Sequence, residues 1–177
     1  ENPDIVFSSA GDYLTKETLA AIDLLKTDAP EIKTRFVNIM ELCSLGIGNA
    51  DCKAPINFAE YYTADKSVIF NFHGYPETLK QALFDRQDGK RKFFVHGYVE
   101  NGSTTTPFDM QIRNETSRYH LVKEAVKELG RLGVMNKEKV DSITDKYDKK
   151  LADHRVFIKE NGVDPDEIEN WVWKRNI

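Results

Sequence analysis

Two hydrophobic patterns alternate along the chain. Short runs rich in β-branched and aromatic residues, with almost no polar face, are separated by longer segments whose apolar residues recur three and four positions apart. The first pattern predicts strands buried on both faces, and the second predicts amphipathic helices. Ser67 to Phe72 is the clearest run of the first kind; it stops at His73-Gly74-Tyr75-Pro76, and Pro76 suits the first position of a helix over Glu77 to Phe84. Asp4 to Gly11 predicts an earlier strand running into a small-residue turn. Thr15 is the expected N-cap of the following helix, with Leu19, Ile22, Leu24 and Leu25 as its apolar stripe before Asp28-Ala29-Pro30 breaks it. Arg35 to Met40 predicts a second strand, and the helix-length connection before it predicts a parallel crossover.

Further along, Phe58 to Tyr62 reads as a short helical turn and Phe93 to Val99 as another strand. The spacing of Tyr119, Val122, Val126 and Leu129 predicts an amphipathic helix capped by Asn114 and ending near Arg131 to Gly133, with His120 beside its stripe. A long helix begins after Asn136 and stops at Gly162, burying Val140, Ile143, Tyr147, Leu151, His154 and Ile158. Asp164-Pro165-Asp166-Glu167 is expected to cap a last short helix holding Ile168, Trp171 and Trp173. Strands alternating with helices predict an α/β fold: three layers around a mostly parallel, doubly wound sheet of about five strands, with additional C-terminal helices. An antiparallel edge strand is expected at Asp109 to Arg113 or Phe93 to Val99.

Composition narrows the function classes. The 177 residues predict a single domain, 1–177, and the formal charge of -4 gives no basic footprint for nucleic acid. No apolar run approaches the roughly 18 residues of a membrane span, and a cytoplasmic location is the expectation. Cys43 and Cys52, nine residues apart with no histidine nearby, are read as ordinary thiols over a zinc site. Gly46-Ile47-Gly48 follows a strand, but Asp51 stands at the third glycine position of a dinucleotide fingerprint, so a surface loop is expected. Arg86, Lys90, Arg91 and Lys92 form a basic bend that reads as solvated surface over a phosphate site. Asn101-Gly102-Ser103 and Asn114-Glu115-Thr116 match glycosylation acceptors, without meaning unless the chain is secreted.

Candidate chemistry gathers where an open α/β sheet places ligands, outside the carboxyl ends of the strands. His73, Gly74 and Tyr75 sit there, and His96-Gly97-Tyr98 repeats the motif on what could be a neighbouring strand. Thr104, Thr105 and Thr106 precede Pro107 and Asp109; such a run of hydroxyls and an acid could hold a loop or an oxyanion by short hydrogen bonds. For the histidines, structural hydrogen bonding competes with function, and His154 on an apolar stripe reads as a satisfied core or interface histidine.

His-Gly-Tyr-Pro at 73 to 76, His-Gly-Tyr at 96 to 98, Thr-Thr-Thr-Pro-Phe-Asp-Met at 104 to 110, Arg-Tyr-His-Leu-Val at 118 to 122 and Trp-Val-Trp at 171 to 173 resemble the C-terminal domain of phosphoketolases. Pro3 to Val6 and Glu17 to Ala21 extend the resemblance over nearly the whole chain, with departures at Leu42 to Asn57 and Leu132 to Asp153. The resemblance implies a transketolase-like C-terminal domain excised from a longer enzyme, which cleaves xylulose 5-phosphate or fructose 6-phosphate with phosphate to acetyl phosphate and an aldose phosphate. It implies thiamine diphosphate and Mg2+ in the full-length enzyme, held across a homodimer interface by the N-terminal and middle domains, and neither a metal nor a catalytic residue here. The chain lacks the Gly-Asp-Gly and Asn-Asn pattern of thiamine enzymes. His73, Gly74, Tyr75, His96, Thr104, Thr105, Thr106 and Asp109 are then candidates for an interdomain surface or ligand edge. Two other readings stand beside it: a self-sufficient small enzyme acting through His73 or His96 with Asp109, and a stand-alone module binding a small anion or nucleotide at the strand ends.

Overall fold

The computed structural model describes residues 2–46, 57–87, 90–99 and 104–174. Its centre is a sheet in the order β2-β1-β3-β4, made of β1 (Ile5–Ala10), β2 (Thr34–Asn38), β3 (Val68–Phe72) and β4 (Phe93–Gly97). Every adjacent pair is parallel, with Phe7 beside Phe36 and Ile69, and Phe70 beside Val95. The α/β class holds. The described sheet has four strands where about five were expected, and the anticipated antiparallel edge is absent from it. Phe93–Gly97 runs parallel to β3 because a helix crosses over between them, and residues 109–113 are helical.

Alternation along the strands sends two sets of apolar side chains to opposite faces. Ile5, Phe7 and Ile69 pack with α1 (Asp12–Asp28) and α5 (Arg118–Arg131), through Ala21, Ile22, Leu25, Leu121, Val122 and Val126. Outside them lies α6 (Lys137–Asn161), which buries Ile143 and Tyr147. On the other face Val6, Val68, Phe70 and Phe72 meet Phe58 and Tyr62 of α2 (Phe58–Tyr62) and Leu79 and Leu83 of α3 (Pro76–Leu83). Two short helices complete the chain, α4 (Pro107–Arg113) and α7 (Asp166–Glu169).

Local signals set several boundaries. Asn136 caps α6 by accepting from the Lys139 amide at 2.9 Å, and Gly162 ends it at φ +72°. Three expectations fail at their ends. Gly11, not Thr15, precedes α1; Thr15 lies inside the first turn and its hydroxyl donates to the Gly11 carbonyl at 2.8 Å. Asn114 closes α4 and does not open α5: its Nδ2 donates to the Met110 carbonyl at 2.7 Å, while Oδ1 accepts from the Val99 amide at 2.7 Å. The final helix ends at Glu169, so Trp171 and Trp173 follow it outside any regular element. Cys43 is disulfide-bonded, correcting its reading as an ordinary thiol. Cys52, the third position of the dinucleotide-like run at Asp51, and the acceptor triplet at Asn101 lie outside the described residues.

Candidate functional site

The chain reverses direction across the sheet between β1 and β3, and their carboxyl ends therefore form the switch point at which doubly wound folds bind ligands. There the His73 amide donates to the Ala10 carbonyl at 2.9 Å. The β1–α1 turn lies against the His73 side chain: a Cβ added to Gly11, which has φ +107°, would lie 2.4 Å from the His73 Cβ. His73 is exposed and its ring stands edge-on to Tyr98 at 5.2 Å. Tyr75 and Met40, both just beyond strand ends, are 63% and 84% exposed.

The neighbouring parallel strands bring the two His-Gly-Tyr motifs to one edge, offset by two residues. His96 stands opposite Asn71, and Gly97 opposite Phe72. Gly97 is required by close approach, since a Cβ there would come within 2.4 Å of the Pro76 Cδ and 2.7 Å of the Gly74 carbonyl oxygen. Burial holds the His96 imidazole below the usual histidine range, against the opposing pull of Glu115; the Glu124 carboxylate lies 3.9 Å from its Nε2. Asn71 is fully buried, donating to the carbonyls of Leu14 and Thr116 at 3.3 and 3.0 Å, and its Oδ1 has no partner among the described residues.

The threonine run has a different fate. Its hydroxyls are spent inside the domain, because this segment is the entry to α4 and not a free turn. Thr105 donates to Asp109 Oδ2 at 2.7 Å, and the Arg113 Nε donates to the same oxygen at 2.6 Å. Burial opposes ionisation of Asp109, but these hydrogen bonds outweigh it and hold the carboxyl below its ordinary range. Thr106 donates to Asp164 Oδ1 at 2.5 Å and also caps α4, accepting from the Asp109 amide at 3.3 Å. Thr104 is exposed. Asp109 bonds to neither His73 nor His96 among the described contacts, so no acid–base pair of the kind a small hydrolase would use is assembled from them.

Asp164 was expected only as part of the cap of the last helix, where Pro165 stands at the N-cap and no side chain caps it; its use as a buried acceptor for α4 and α6 is what sequence reasoning missed. Its buried carboxylate accepts from Thr106, from the Phe108 amide at 2.8 Å, and pairs with His154 Nε2 at 2.9 Å. His154 is thus a core histidine paired at Nε2 and packed edge-on against Phe108 at 5.0 Å, but not the fully satisfied one expected, because its buried Nδ1 has no hydrogen-bond partner among the described residues. A second buried tie joins α1 to the start of α5: Glu17 takes three bonds from Arg118, at 2.9 Å from its amide and 3.0 and 2.7 Å from its guanidinium. In the basic bend, Arg91 donates to the carbonyls of Thr63 and Arg86, and Arg86 stacks over Phe58 at 4.6 Å, so both cations serve packing.

A cavity of about 830 Å³ opens beside this edge, between α4, the start of α5 and the second half of α6. Thr105 and Asp109 line it, together with His120, whose Nδ1 is 2.8 Å from the Ser117 hydroxyl. Burial pushes the His120 imidazole down to about 4, more than Glu115 raises it. Among the described residues no group of three or more His, Cys, Asp or Glu could hold a metal ion. No helix among them is long and apolar enough to cross a membrane.

Comparison with known proteins matches residues 1–173 to the XFP C-terminal domain. The chain is 38% identical over 176 residues to a probable phosphoketolase of Pediococcus pentosaceus, covering 98% of this chain and 22% of that protein. It is 40% identical over 174 residues to probable phosphoketolase 1 of Lactiplantibacillus plantarum, and 39% identical over 174 residues to the xylulose-5-phosphate phosphoketolase of Lactiplantibacillus pentosus. In both cases 97% of this chain and 21% of the relative are covered, so the chain spans about a fifth of the length of the curated relatives it matches. With a family match over nearly every residue and relatives that agree along the same span, the chain belongs to the phosphoketolase C-terminal domain family.

Proposed function

We propose that this chain is the accessory and dimer-forming domain of a cytoplasmic phosphoketolase, and that the carboxyl rim of its sheet packs against the thiamine-binding domains of the same enzyme. The full-length homodimer would cleave xylulose 5-phosphate or fructose 6-phosphate with phosphate. The observation that carries this reading is the unequal fate of the rim's side chains. Thr105, Thr106 and Asp109 are consumed by internal hydrogen bonds, whereas His73, Tyr75 and Met40 project to solvent along the carboxyl rim of the sheet. An exposed tyrosine, methionine and histidine along one rim have the composition of an interface core, where aromatic residues and methionine are enriched. No chemical step is assigned to the described residues. When bound, thiamine diphosphate would supply the carbon–carbon cleavage from the rest of the polypeptide.

The test is Met40→Asp with Tyr75→Asp in the full-length polypeptide. Both residues are exposed here, so the domain keeps its fold while the dimer dissociates at lower dilution and turnover of fructose 6-phosphate with phosphate falls. Unchanged sedimentation and turnover would overturn the interface. Turnover by the isolated chain supplied with thiamine diphosphate would overturn the accessory role itself.

A further inference from the structure

The cavity beside α6 has features that the accessory role does not use. Its volume of about 830 Å³ falls in the range of small-molecule sites, and two other cavities of the domain are smaller, at about 400 and 330 Å³. Its lining comes from α4, the turn at Glu115, the start of α5 and one face of α6.

One wall comes from a single face of α6, where Asp148, Leu151, Ala152, Arg155, Ile158 and Lys159 follow helical spacing. Arg155 and Lys159 stand one turn apart and make no ion pair among the described residues; Asp148 on the same face is paired with Lys123. On the opposite wall Arg113 reaches Asp109 through Nε alone, which leaves the rest of its guanidinium fork for another acceptor. Asp109 and Asp148 are thereby matched by cations, and Glu115 is the remaining acid of the lining. Between the two walls Ile112, Leu151, Ala152 and Ile158 supply apolar surface, and the half-buried His120 stays neutral at pH 7. Glu115 itself holds φ +57°, one of two non-glycine residues with positive φ among the described residues. That conformation closes α4, with the Glu115 and Thr116 amides donating to the carbonyls of Ile112 and Gln111 at 3.1 and 2.9 Å, and so fixes where the Glu115 side chain enters the lining.

We infer that this cavity binds a small molecule with a dianionic head group, a phosphate monoester or a dicarboxylate, held by Arg155, Lys159 and Arg113 with its apolar body against Ile112, Leu151 and Ile158. The site is separate from the Met40 and Tyr75 rim and is read by binding alone, so it stands or falls independently of the accessory role.

Phenyl phosphate is the first probe, because it joins a dianion to an apolar ring; succinate tests the dicarboxylate arm. Each is titrated calorimetrically into the full-length polypeptide, with thiamine diphosphate and Mg2+ in excess so that any diphosphate site elsewhere is filled. At least one probe binds with a Kd below about 1 mM, and Arg155→Gln and Lys159→Gln each weaken it about tenfold, the scale of one charge-assisted hydrogen bond. Lys149→Gln, an exposed lysine of α6 outside the lining, leaves the Kd within about twofold. Phenyl phosphate binding alone assigns the phosphoryl class, and succinate alone the dicarboxylate class. No binding of either probe up to about 10 mM, or binding that both cavity variants leave unchanged, overturns the site. Arg155 and Lys159 are exposed, so neither substitution threatens the fold.

Discussion

Replacing Asp164 with alanine tests whether the C-terminal tail is a structural clamp. The carboxylate is 2% exposed and accepts three bonds, from Thr106 at 2.5 Å, the Phe108 amide at 2.8 Å and His154 at 2.9 Å. A hydrogen bond to a charged group contributes about 1.5–3 kcal/mol, but the three share one acceptor group and do not add in full. Asp164→Ala also leaves the Phe108 amide and His154 facing an apolar void, each short of a partner. The expected loss is about 3–5 kcal/mol, in the range seen when one member of a buried polar pair is removed. For a domain of this size that lowers Tm by roughly 6–20 °C. Thr106→Val removes a single member of the cluster and should cost only about 1–2 kcal/mol. Urea unfolding of both variants can be followed by tryptophan fluorescence, which reports on Trp171 beside Arg118, and by circular dichroism, which reports on the helices. A loss below about 1 kcal/mol for Asp164→Ala by both probes, or one smaller than that of Thr106→Val, would refute the clamp.

Glu17→Gln should cost about 3–5 kcal/mol in urea, because it strands the Arg118 charge at 4% side-chain exposure; Glu17→Gln with Arg118→Met should recover part of that loss, and equal single and double values would sink the pairing argument. Gly97→Ala should destabilise by about 1–3 kcal/mol or more, since Pro76 lies 2.4 Å from the added carbon, while Gly133→Ala, with open space but φ +72°, should cost about 1 kcal/mol; the reverse order in thermal melts would contradict the close packing of β3 and β4. Lowering the pH should weaken the fold through His120. Its folded value, about 4, lies below the unfolded value near 6.5, so the unfolded chain binds the extra proton first, and stability present above pH 6.5 is lost as pH falls toward 4. The upper bound is about 3 kcal/mol, and His120→Gln should flatten the slope between pH 6.5 and 5, where few carboxylates titrate; an unaltered slope in urea melts would exclude this residue as its source.

The elements legible in the sequence were those whose signals are local. The side chain of Asn136 and the left-handed Gly162 fix the ends of α6 within a few residues of chain, and Pro76 at the start of α3 acts the same way. Alternation cannot reveal β4 as parallel, because direction is set by the crossover helix α3 and not by the strand's own residues. Helix α4 escaped notice for a related reason. Its seven residues are too few to display a helical period, and its first turn is held by Asp164, more than fifty residues away. The same distance hid the use to which Thr106 is put. Polar residues were recognisable as a cluster from spacing alone, but whether they face a ligand or each other depends on acceptors that only the folded chain brings near.

The two ends of the sheet show what that distinction means for function. At the amino end, Asp4 accepts from the Lys33 amide at 2.8 Å, and Ser67 donates to Glu128 at 2.6 Å, a carboxylate also bonded twice by Arg131. Burial alone would raise Glu128, yet these donors keep it below the usual range, so ionised partners there are satisfied within the domain. At the carboxyl end the balance differs: Asn71 Oδ1 is buried without a partner among the described residues, and His73, Tyr75 and Met40 stand exposed. A fold gains no stability of its own from an unpaired buried oxygen, which costs about 1–3 kcal/mol. Such costs persist where the surrounding structure enforces them, and here the ties of Glu17 to Arg118 and of Asp164 to α4 supply that enforcement from positions flanking the rim. The internal clamps and the unsatisfied edge are therefore two parts of one arrangement, in which rigidity made inside the domain holds in place the face that we propose packs against the rest of the enzyme.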